Sequence, residues 1–175
     1  VTDPRKGMDY LIESLNRLLA DDPSLRERAV VAILGGQAEE IAERLPMEAY
    51  PLGYVSETKR IVAIYSAVDL FVTPSLSDNL PNTIMEAMAC GVPCVGFKVG
   101  GIPEMIDHLK NGYVANYRDA KDLAAGIHWV LDEADQSALQ QSCLAKVMHN
   151  YSQHAVALNY IEIYNEAMAY KHYRI

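Results

Sequence analysis

Short apolar runs alternate with longer amphipathic stretches along this chain. Residues 29–34, 70–73 and 93–97 are nearly continuous apolar runs, as expected of strands that are covered on both faces of a parallel sheet. Between them, apolar residues recur every three or four positions, which predicts helices over residues 38–45 and 58–67. This alternation predicts an α/β fold with a Rossmann-like parallel sheet flanked by helices.

The same pattern continues towards both ends of the chain. A turn over residues 3–7 leads into a helix with apolar residues at helical spacing, which Asp22-Pro23 ends. The remaining predicted elements are a short strand with its loop, a short helix, a strand and a helix, over residues 51–55, 103–108, 113–115 and 120–131.

The rest of the chain is predicted to be a helical C-terminal tail. Its last helix carries an apolar stripe that predicts packing against the core: Tyr160, Ile163, Tyr164, Ala167 and Met168. The end of this helix, with Tyr170 and Tyr173, is expected to be exposed unless another domain covers it.

Composition favours one domain over residues 1–175. The chain has 175 residues, of which 50% are hydrophobic, enough for one sizeable core. The net charge of −8 argues against binding a nucleic-acid backbone, which would favour clustered Lys and Arg. No apolar run reaches the roughly 20 residues of a membrane span, and no signal-peptide pattern is present, so we expect a cytoplasmic location.

Cysteine and histidine spacing predicts no metal site. Cys90, Cys94 and Cys143 form no CxxC pair and lie in apolar surroundings, which indicates small core residues. The histidines have no metal-like spacing and are expected at the surface: His108, His128, His149, His154 and His172.

The candidate chemistry lies in residues 69–101. A predicted strand is followed by a loop with Asp78 and Asn79, and a helix then opens near residues 81–83 and stops at Gly91. In an open parallel sheet, ligands bind beyond the carboxyl ends of the strands, where the N-terminus of a helix offers unpaired N–H groups to an anion. Lys6, between a strand end and a helix, could reach phosphates at the same place.

These residues carry a family resemblance. Asp78, seven intervening residues and Glu86, followed by AMACGVPCVGF and GGIPEMI, resemble the signature of the retaining glycosyltransferases of family 4. That family has the GT-B fold of two facing Rossmann-like domains, and this chain resembles its C-terminal half. Two departures are visible: the first acid is Asp78 instead of the usual Glu, and the loop reads Asp-Asn-Leu-Pro instead of Glu-Gly-Phe-Pro.

The resemblance implies a role for each candidate residue. Lys6 matches the lysine that neutralises the donor diphosphate, Asp78 would contact hydroxyls of the donor sugar, and Glu86 would accept hydrogen bonds from the ribose hydroxyls. The other donor-binding positions, mostly through backbone atoms, would be Asn79, Leu80, Asn82, Thr83, Ile84, Tyr54 and Val55. A nucleotide sugar would be the substrate, without a cofactor or a metal.

The resemblance also implies a longer enzyme. Its N-terminal domain would hold the glycan or lipid-linked acceptor, and the central strand before the 3–7 turn would lie upstream of Val1. Without that strand, the sheet would have a central gap with two unpaired edges. From the glycan or lipid-linked acceptor that the resemblance implies, we expect the intact enzyme to act in polysaccharide biosynthesis. Peripheral membrane association of the intact enzyme is left open.

Each assignment has a structural alternative. Residues 83–86 match a capping box, in which Glu86 would only stabilise its helix, and Asp78 could cap a turn beside Asn79. Lys6 could be a solvated cation, and residues 53–55 could pack in the core. At the level of function, the alternatives are a non-catalytic interaction domain and a nucleotide-sugar epimerase of the same fold.

Overall fold

The computed structural model describes residues 3–171. The strands in this range are Val31–Leu34 (β1), Ala49–Gly53 (β2), Phe71–Thr73 (β3), Cys94–Phe97 (β4) and Gly112–Ala115 (β5). The α-helices are Met8–Asp21 (α1), Leu25–Arg28 (α2), Ala38–Arg44 (α3), Thr58–Ser66 (α4), Asn82–Ala89 (α5), Ile102–Met105 (α6), Ala120–His128 (α7), Gln136–Asn150 (α8) and Gln153–Lys171 (α9). A 3-10 turn covers Pro4–Lys6, and a π-helical turn covers Trp129–Glu133.

Every strand pair is parallel, but the strands form two sheets. β1 pairs with β2 in one sheet, and β4 lies between β3 and β5 in the other. Within residues 3–171, β1 and β3 each have a partner strand on one side only. The predicted α/β architecture of parallel strands flanked by helices is confirmed.

β4 is buried over its whole length between two layers of helices. Val95 and Phe97 pack in the layer that includes α1 and α7, where the ring of Tyr10 meets that of Phe97 edge to face at 5.6 Å. Cys94 points to the opposite layer, which includes α5, as the two-residue period of a strand requires. The apolar run over residues 93–97 is thus explained by cover on both faces.

The outer strand β5 is held by the helical segment that follows it. The hydroxyl of Tyr113 donates a hydrogen bond to Asp122 at 2.8 Å, and its ring lies 6.2 Å from that of Trp129. Asp119 begins this segment by accepting hydrogen bonds from the N–H groups of Lys121 and Asp122. Residues near the start and near the end of this helical segment therefore both contact Tyr113 of β5.

β1 is less buried than its sequence predicts. The apolar run over residues 29–34 predicts a strand covered on both faces, but Val31, Ile33 and Leu34 are half-buried and Ala32 is exposed. The prediction is wrong because, within residues 3–171, Val31 and Leu34 only border the two core clusters and Ala32 has no cover.

Two predicted helices end earlier than expected. The helix predicted over residues 103–108 ends at Met105, because the backbone of Ile106 is already extended, with a ψ of 109°. The helix predicted over residues 120–131 ends at His128 and continues as the π-helical turn.

The last helix does not pack as predicted. Every described side chain from residue 156 to residue 170 is exposed, so the expected core packing of its apolar stripe is wrong. Further apolar residues, including Leu158 and Ile161, lie outside the stripe, so that α9 has no single apolar side to bury. Tyr170 is exposed as predicted, whereas Tyr173 lies outside the described residues.

Candidate functional site

Three chain segments converge beyond the carboxyl ends of β3 and β4. The backbone N–H of Leu76, in the loop after β3, donates to the carbonyl oxygen of Arg5 at 2.7 Å. This bond holds the 3-10 turn with Lys6 beside the loop that leads to Asp78. The sequence prediction that Lys6 and this loop belong to the same end of the sheet is therefore consistent with the structure.

The segment after β4 reaches the same loop from the other side. The N–H of Gly101 donates to the carbonyl oxygen of Asn79 at 2.5 Å. Gly100 has a φ of +52°, and a Cβ there would lie 1.7 Å from the carbonyl oxygen of Asp78. Because only glycine allows this approach, Gly100-Gly101 forms a tight turn between β4 and α6.

The N-terminus of α5 faces this convergence. Pro81 is the N-cap residue, and the N–H groups of Asn82 and Thr83 have no acceptor in the part of the chain that the structure describes. Two of the predicted backbone donors, in Asn79 and Leu80, precede the helix and are equally without an acceptor among residues 3–171. These groups could bind an anion, as helix N-termini commonly do.

Ile84 differs from its predicted role. Its N–H already donates to the carbonyl oxygen of Pro81 at 3.0 Å, and its side chain is fully buried beneath the helix. Ile84 therefore anchors α5 to the core, and its N–H is engaged in the first turn.

Lys6 and Arg5 have different surroundings. The guanidinium of Arg5 forms a 2.7 Å ion pair with Asp3, and hydrogen bonds from Arg5 lower the pKa of the Asp3 carboxyl. Lys6 is exposed and has no ion pair within the described residues. Of the two neighbouring cations, Lys6 is the one whose charge is not already engaged by an internal carboxylate.

The two candidate carboxylates lie on either side of the start of α5. Asp78 is half-buried in the loop, and its carboxylate accepts no hydrogen bond from the residues that the structure describes, so the expected alternative of a turn cap has no support. Glu86 is exposed one turn into α5 and accepts a hydrogen bond of 3.5 Å from the hydroxyl of buried Tyr65. The capping-box alternative is wrong, because Thr83 lies inside a helix whose N-cap is Pro81.

Tyr54 and Val55 lie at the end of the other sheet. Gly35 N–H donates to the carbonyl oxygen of Gly53 at 2.8 Å, which ties the loops after β1 and β2 together. Tyr54 is 84% exposed, so the alternative that it packs in the core is wrong, while Val55 is half-buried. No hydrogen bond joins this pair to the loop after β3 among the described residues.

Two hollows in the described surface lie away from this convergence. One, of about 480 Å³, lies along α1 and includes Asp9 and Arg44. The other, of about 540 Å³, lies near the end of β5 and includes Lys98, His108 and Lys110. Neither of these two hollows is lined by Lys6 or Glu86.

Sequence reasoning missed Tyr65 and Tyr117. The hydroxyl of Tyr65 contacts Glu86, and that of Tyr117 donates to the carbonyl oxygen of Leu76 at 3.2 Å. The signal for Tyr65 was present: a tyrosine among the apolar positions of a helix buries its ring but still needs a partner for its hydroxyl. Which partner it finds depends on the packing of α4 against α5.

The burial of the cysteines and the exposure of the histidines largely follow the sequence predictions. Cys94 and Cys143 are buried free thiols and Cys90 is half-buried; burial raises the pKa of the Cys143 thiol to about 12. His108, His128, His149 and His154 are exposed, and His172 lies outside the described residues. Within residues 3–171, no cluster of three metal-ligating side chains is found, and no helix is both long and apolar enough to cross a membrane.

The fold and the converging loops have the architecture of one domain of a GT-B glycosyltransferase. The α,α-trehalose 6-phosphate synthase of Burkholderia multivorans superimposes with a TM-score of 0.75 at 16% identity, over 99% of this chain and 42% of that one. The HepE protein of Anabaena, solved with UDP and glucose, superimposes with a TM-score of 0.71 at 21% identity, over 95% of this chain and 46% of that one.

The chain belongs to the family of glycosyl transferases group 1, whose model matches residues 1–133. It is 34% identical over 139 residues to a D-inositol 3-phosphate glycosyltransferase of Geodermatophilus obscurus, covering 73% of this chain and 31% of that protein. A second relative with the same name, from Streptosporangium roseum, is 31% identical over 97% of this chain and 42% of its own length. The chain thus spans about a third to two fifths of these relatives.

Proposed function

We propose that residues 1–175 form the nucleotide-sugar-binding C-terminal domain of a retaining glycosyltransferase. The intact enzyme would transfer a hexose from a nucleoside diphosphate donor to a hydroxyl of a glycan or lipid-linked acceptor, which a preceding domain would bind. The observation that carries this proposal is the convergence of the Lys6 turn, the Asp78 loop and the N-terminus of α5 beyond β3 and β4.

The diphosphate would lie between Lys6 and the N-terminus of α5. The ammonium of Lys6 and the N–H groups of Asn82 and Thr83 would together present positive charge to it, and a helix N-terminus stabilises an anion by about 0.3–1 kcal/mol at an exposed site. When the bond between sugar and phosphate breaks, negative charge grows on the departing diphosphate. These groups would stabilise that charge without having to move, which is how preorganised donors lower a barrier.

The two acids would hold the opposite ends of the donor. Asp78, without an internal hydrogen bond among the described residues, would accept from hydroxyls of the sugar. Glu86 would accept from both ribose hydroxyls, because a carboxylate offers two oxygens in one plane to a vicinal diol. Exposed Tyr54, together with Val55, would border the base. No divalent metal enters this scheme.

Titration calorimetry with UDP, GDP and ADP tests the proposal. We expect the wild-type chain to bind one of these nucleotides weakly, and the variants Lys6→Ala and Glu86→Ala to lose about 10- to 100-fold in affinity, since each removes a charge-assisted contact. Matched controls are Lys121→Ala and Glu39→Ala, which remove an exposed cation and an exposed acid from the first turns of α7 and α3. Failure of the folded wild-type chain to bind any of the three would favour a non-catalytic interaction domain.

The chain alone and the intact enzyme are expected to differ in transfer activity. Because the acceptor would be bound by another domain, the chain alone is expected to transfer no sugar. Product analysis of the full-length protein distinguishes transfer from epimerisation of the nucleotide sugar. Detectable transfer by the chain alone would contradict this division of roles.

A further inference from the structure

Tyr65 is a buried tyrosine whose ring is fixed on several sides. It lies in the last turn of α4, and only 2% of it is exposed. Its ring meets that of Phe71 edge to face, with centroids 5.7 Å apart, and both belong to the core layer beneath α5. A side chain packed in this way is held in one rotamer by its neighbours.

The hydroxyl of Tyr65 reaches out of this layer to a carboxylate at the surface. It donates a hydrogen bond to Oε2 of Glu86 at 3.5 Å. Glu86 itself is exposed, and an exposed glutamate samples several rotamers unless a neighbour fixes it. The hydrogen bond therefore joins an exposed glutamate, Glu86, to a tyrosine whose ring is fixed in the core, Tyr65.

The electrostatics keep Tyr65 in its donor form. Burial, followed by the negative charge of Glu86, raises the pKa of the phenol well above its ordinary value of 10. The phenol consequently stays protonated at neutral pH. It can occupy one lone pair of Oε2, which leaves Oε1 and the second lone pair of Oε2 to accept from other donors.

We propose that Tyr65 is a positioning residue that orients the Glu86 carboxylate towards a vicinal diol, the ribose hydroxyls of the bound nucleotide. The inference rests on the proposed function and adds a cause for ribose recognition: the orientation of Glu86 is set from the core, through a side chain that would not contact the ligand. It predicts that the preference for ribonucleotides over deoxyribonucleotides depends on one buried hydroxyl.

Tyr65→Phe tests this role, because it keeps the ring packed against Phe71 and removes only the hydroxyl. By calorimetry, we expect the variant to bind UDP about 3- to 10-fold more weakly than wild type, the usual effect of one lost hydrogen bond. Binding of 2′-deoxy-UDP should change much less, so the ratio of the two affinities should fall. In a Glu86→Ala background, which has no acceptor for the Tyr65 hydroxyl, the same substitution should have little effect on either ligand.

Tyr10→Phe is the matched control. Tyr10 also packs edge to face on a phenylalanine, Phe97, but in the opposite core layer. The variant Tyr10→Phe should leave the affinities for UDP and for 2′-deoxy-UDP unchanged. If Tyr65→Phe binds UDP as wild type does, with the same ratio to 2′-deoxy-UDP, the donor site stands and the role of Tyr65 is overturned. If the wild-type chain binds no nucleotide, both proposals fail.

A measurement without ligand checks the contact itself. Carbon-13 labelling of the tyrosines allows the Cζ signal of Tyr65 to be followed by NMR at neutral pH, with Tyr65→Phe identifying it. Glu86→Ala removes the acceptor of the Tyr65 hydroxyl and should shift this signal, whereas Glu39→Ala should not. An unchanged Cζ signal in Glu86→Ala would show that the two side chains do not interact, and would overturn the inference even if nucleotides bind.

Discussion

The two sheets of this molecule are built from similar sequences but are buried to very different extents. β4, in the three-stranded sheet, is fully buried along its length, whereas β1 and β2 consist of half-buried and exposed residues. Both sheets are parallel, and both contain apolar runs. The difference shows that a strand's own sequence does not decide its burial; the helices and strands packed around it do.

The candidate site is divided between these two sheets. The Lys6 turn, the Asp78 loop and α5 are tied to the three-stranded sheet by backbone hydrogen bonds and by the buried side chain of Ile84. Tyr54 and Val55 extend from the two-stranded sheet. We therefore expect the diphosphate and ribose contacts to be preorganised, and the base contacts to depend on a less constrained part of the chain.

The largest effect should come from removing a buried aromatic ring from the three-stranded sheet. Phe97→Ala leaves a cavity beside Tyr10 and should lower the free energy of unfolding by about 3–5 kcal/mol. Tyr50→Ala, in β2, should cost below about 1 kcal/mol because Tyr50 is already 50% exposed. Urea denaturation measures both, and equal losses would contradict the difference between the sheets.

A smaller effect should distinguish two glycines with positive φ. Gly100→Ala should lower the free energy of unfolding by about 3 kcal/mol, from about 1 kcal/mol of backbone strain and about 2 kcal/mol for displacing the Asp78 carbonyl. Gly53 has a φ of +66°, but a Cβ added there would have no atom within 4 Å. Gly53→Ala should therefore lower the free energy of unfolding only by the backbone strain, about 1 kcal/mol. Scanning calorimetry measures stability, and nucleotide affinity should fall only in Gly100→Ala.

The smallest effect concerns an ion-pair cluster that connects the helix before β1 to the π-helical turn after α7. Arg28, in the helix before β1, pairs with Asp22 and with Asp132 in the π-helical turn, each at 2.8 Å. Hydrogen bonding from Arg28 is the main cause that lowers the pKa of Asp22 to about 2 from its ordinary 3.8, and it also lowers that of Asp132.

A carboxyl whose pKa is lower in the folded chain stabilises the fold only while it is ionised. The contribution of Asp22 is therefore complete above about pH 4 and is lost as the pH falls towards about 2. Arg28→Gln should melt slightly below wild type at pH 7, and the gap in melting temperature should narrow between pH 4 and pH 3. A gap that is constant with pH would show that these carboxylates do not interact with Arg28.

Local patterns predicted most of the secondary structure. Leucines at helical spacing in α1 and the apolar run of β4 report contacts within one element or one layer, so the sequence contains them directly. The exposure of Ala32 and of α9 could not be predicted in this way, because it depends on which other elements lie nearby. A pattern of apolar residues shows that a surface can be buried, and tertiary neighbours determine whether it is.

The same distinction applies to the candidate site. The order of strand, loop and helix was enough to bring Lys6, Asp78 and the start of α5 to one end of a sheet. The engaged N–H of Ile84 and the Tyr65–Glu86 contact depend on the geometry of the first turn of α5 and on the packing of two helices. Spacing along the sequence does not contain this information.

The position of Trp129 gives the molecule an internal reporter. It is the single tryptophan of the sequence and its ring lies 6.2 Å from that of Tyr113 in β5, so its fluorescence reports mainly on the surroundings of β5. Far-ultraviolet circular dichroism, in contrast, averages over every helix and strand. Coincident unfolding curves from the two signals would mean that both sheets unfold as one cooperative unit, and separated curves would mean that β1 and β2 are lost on their own.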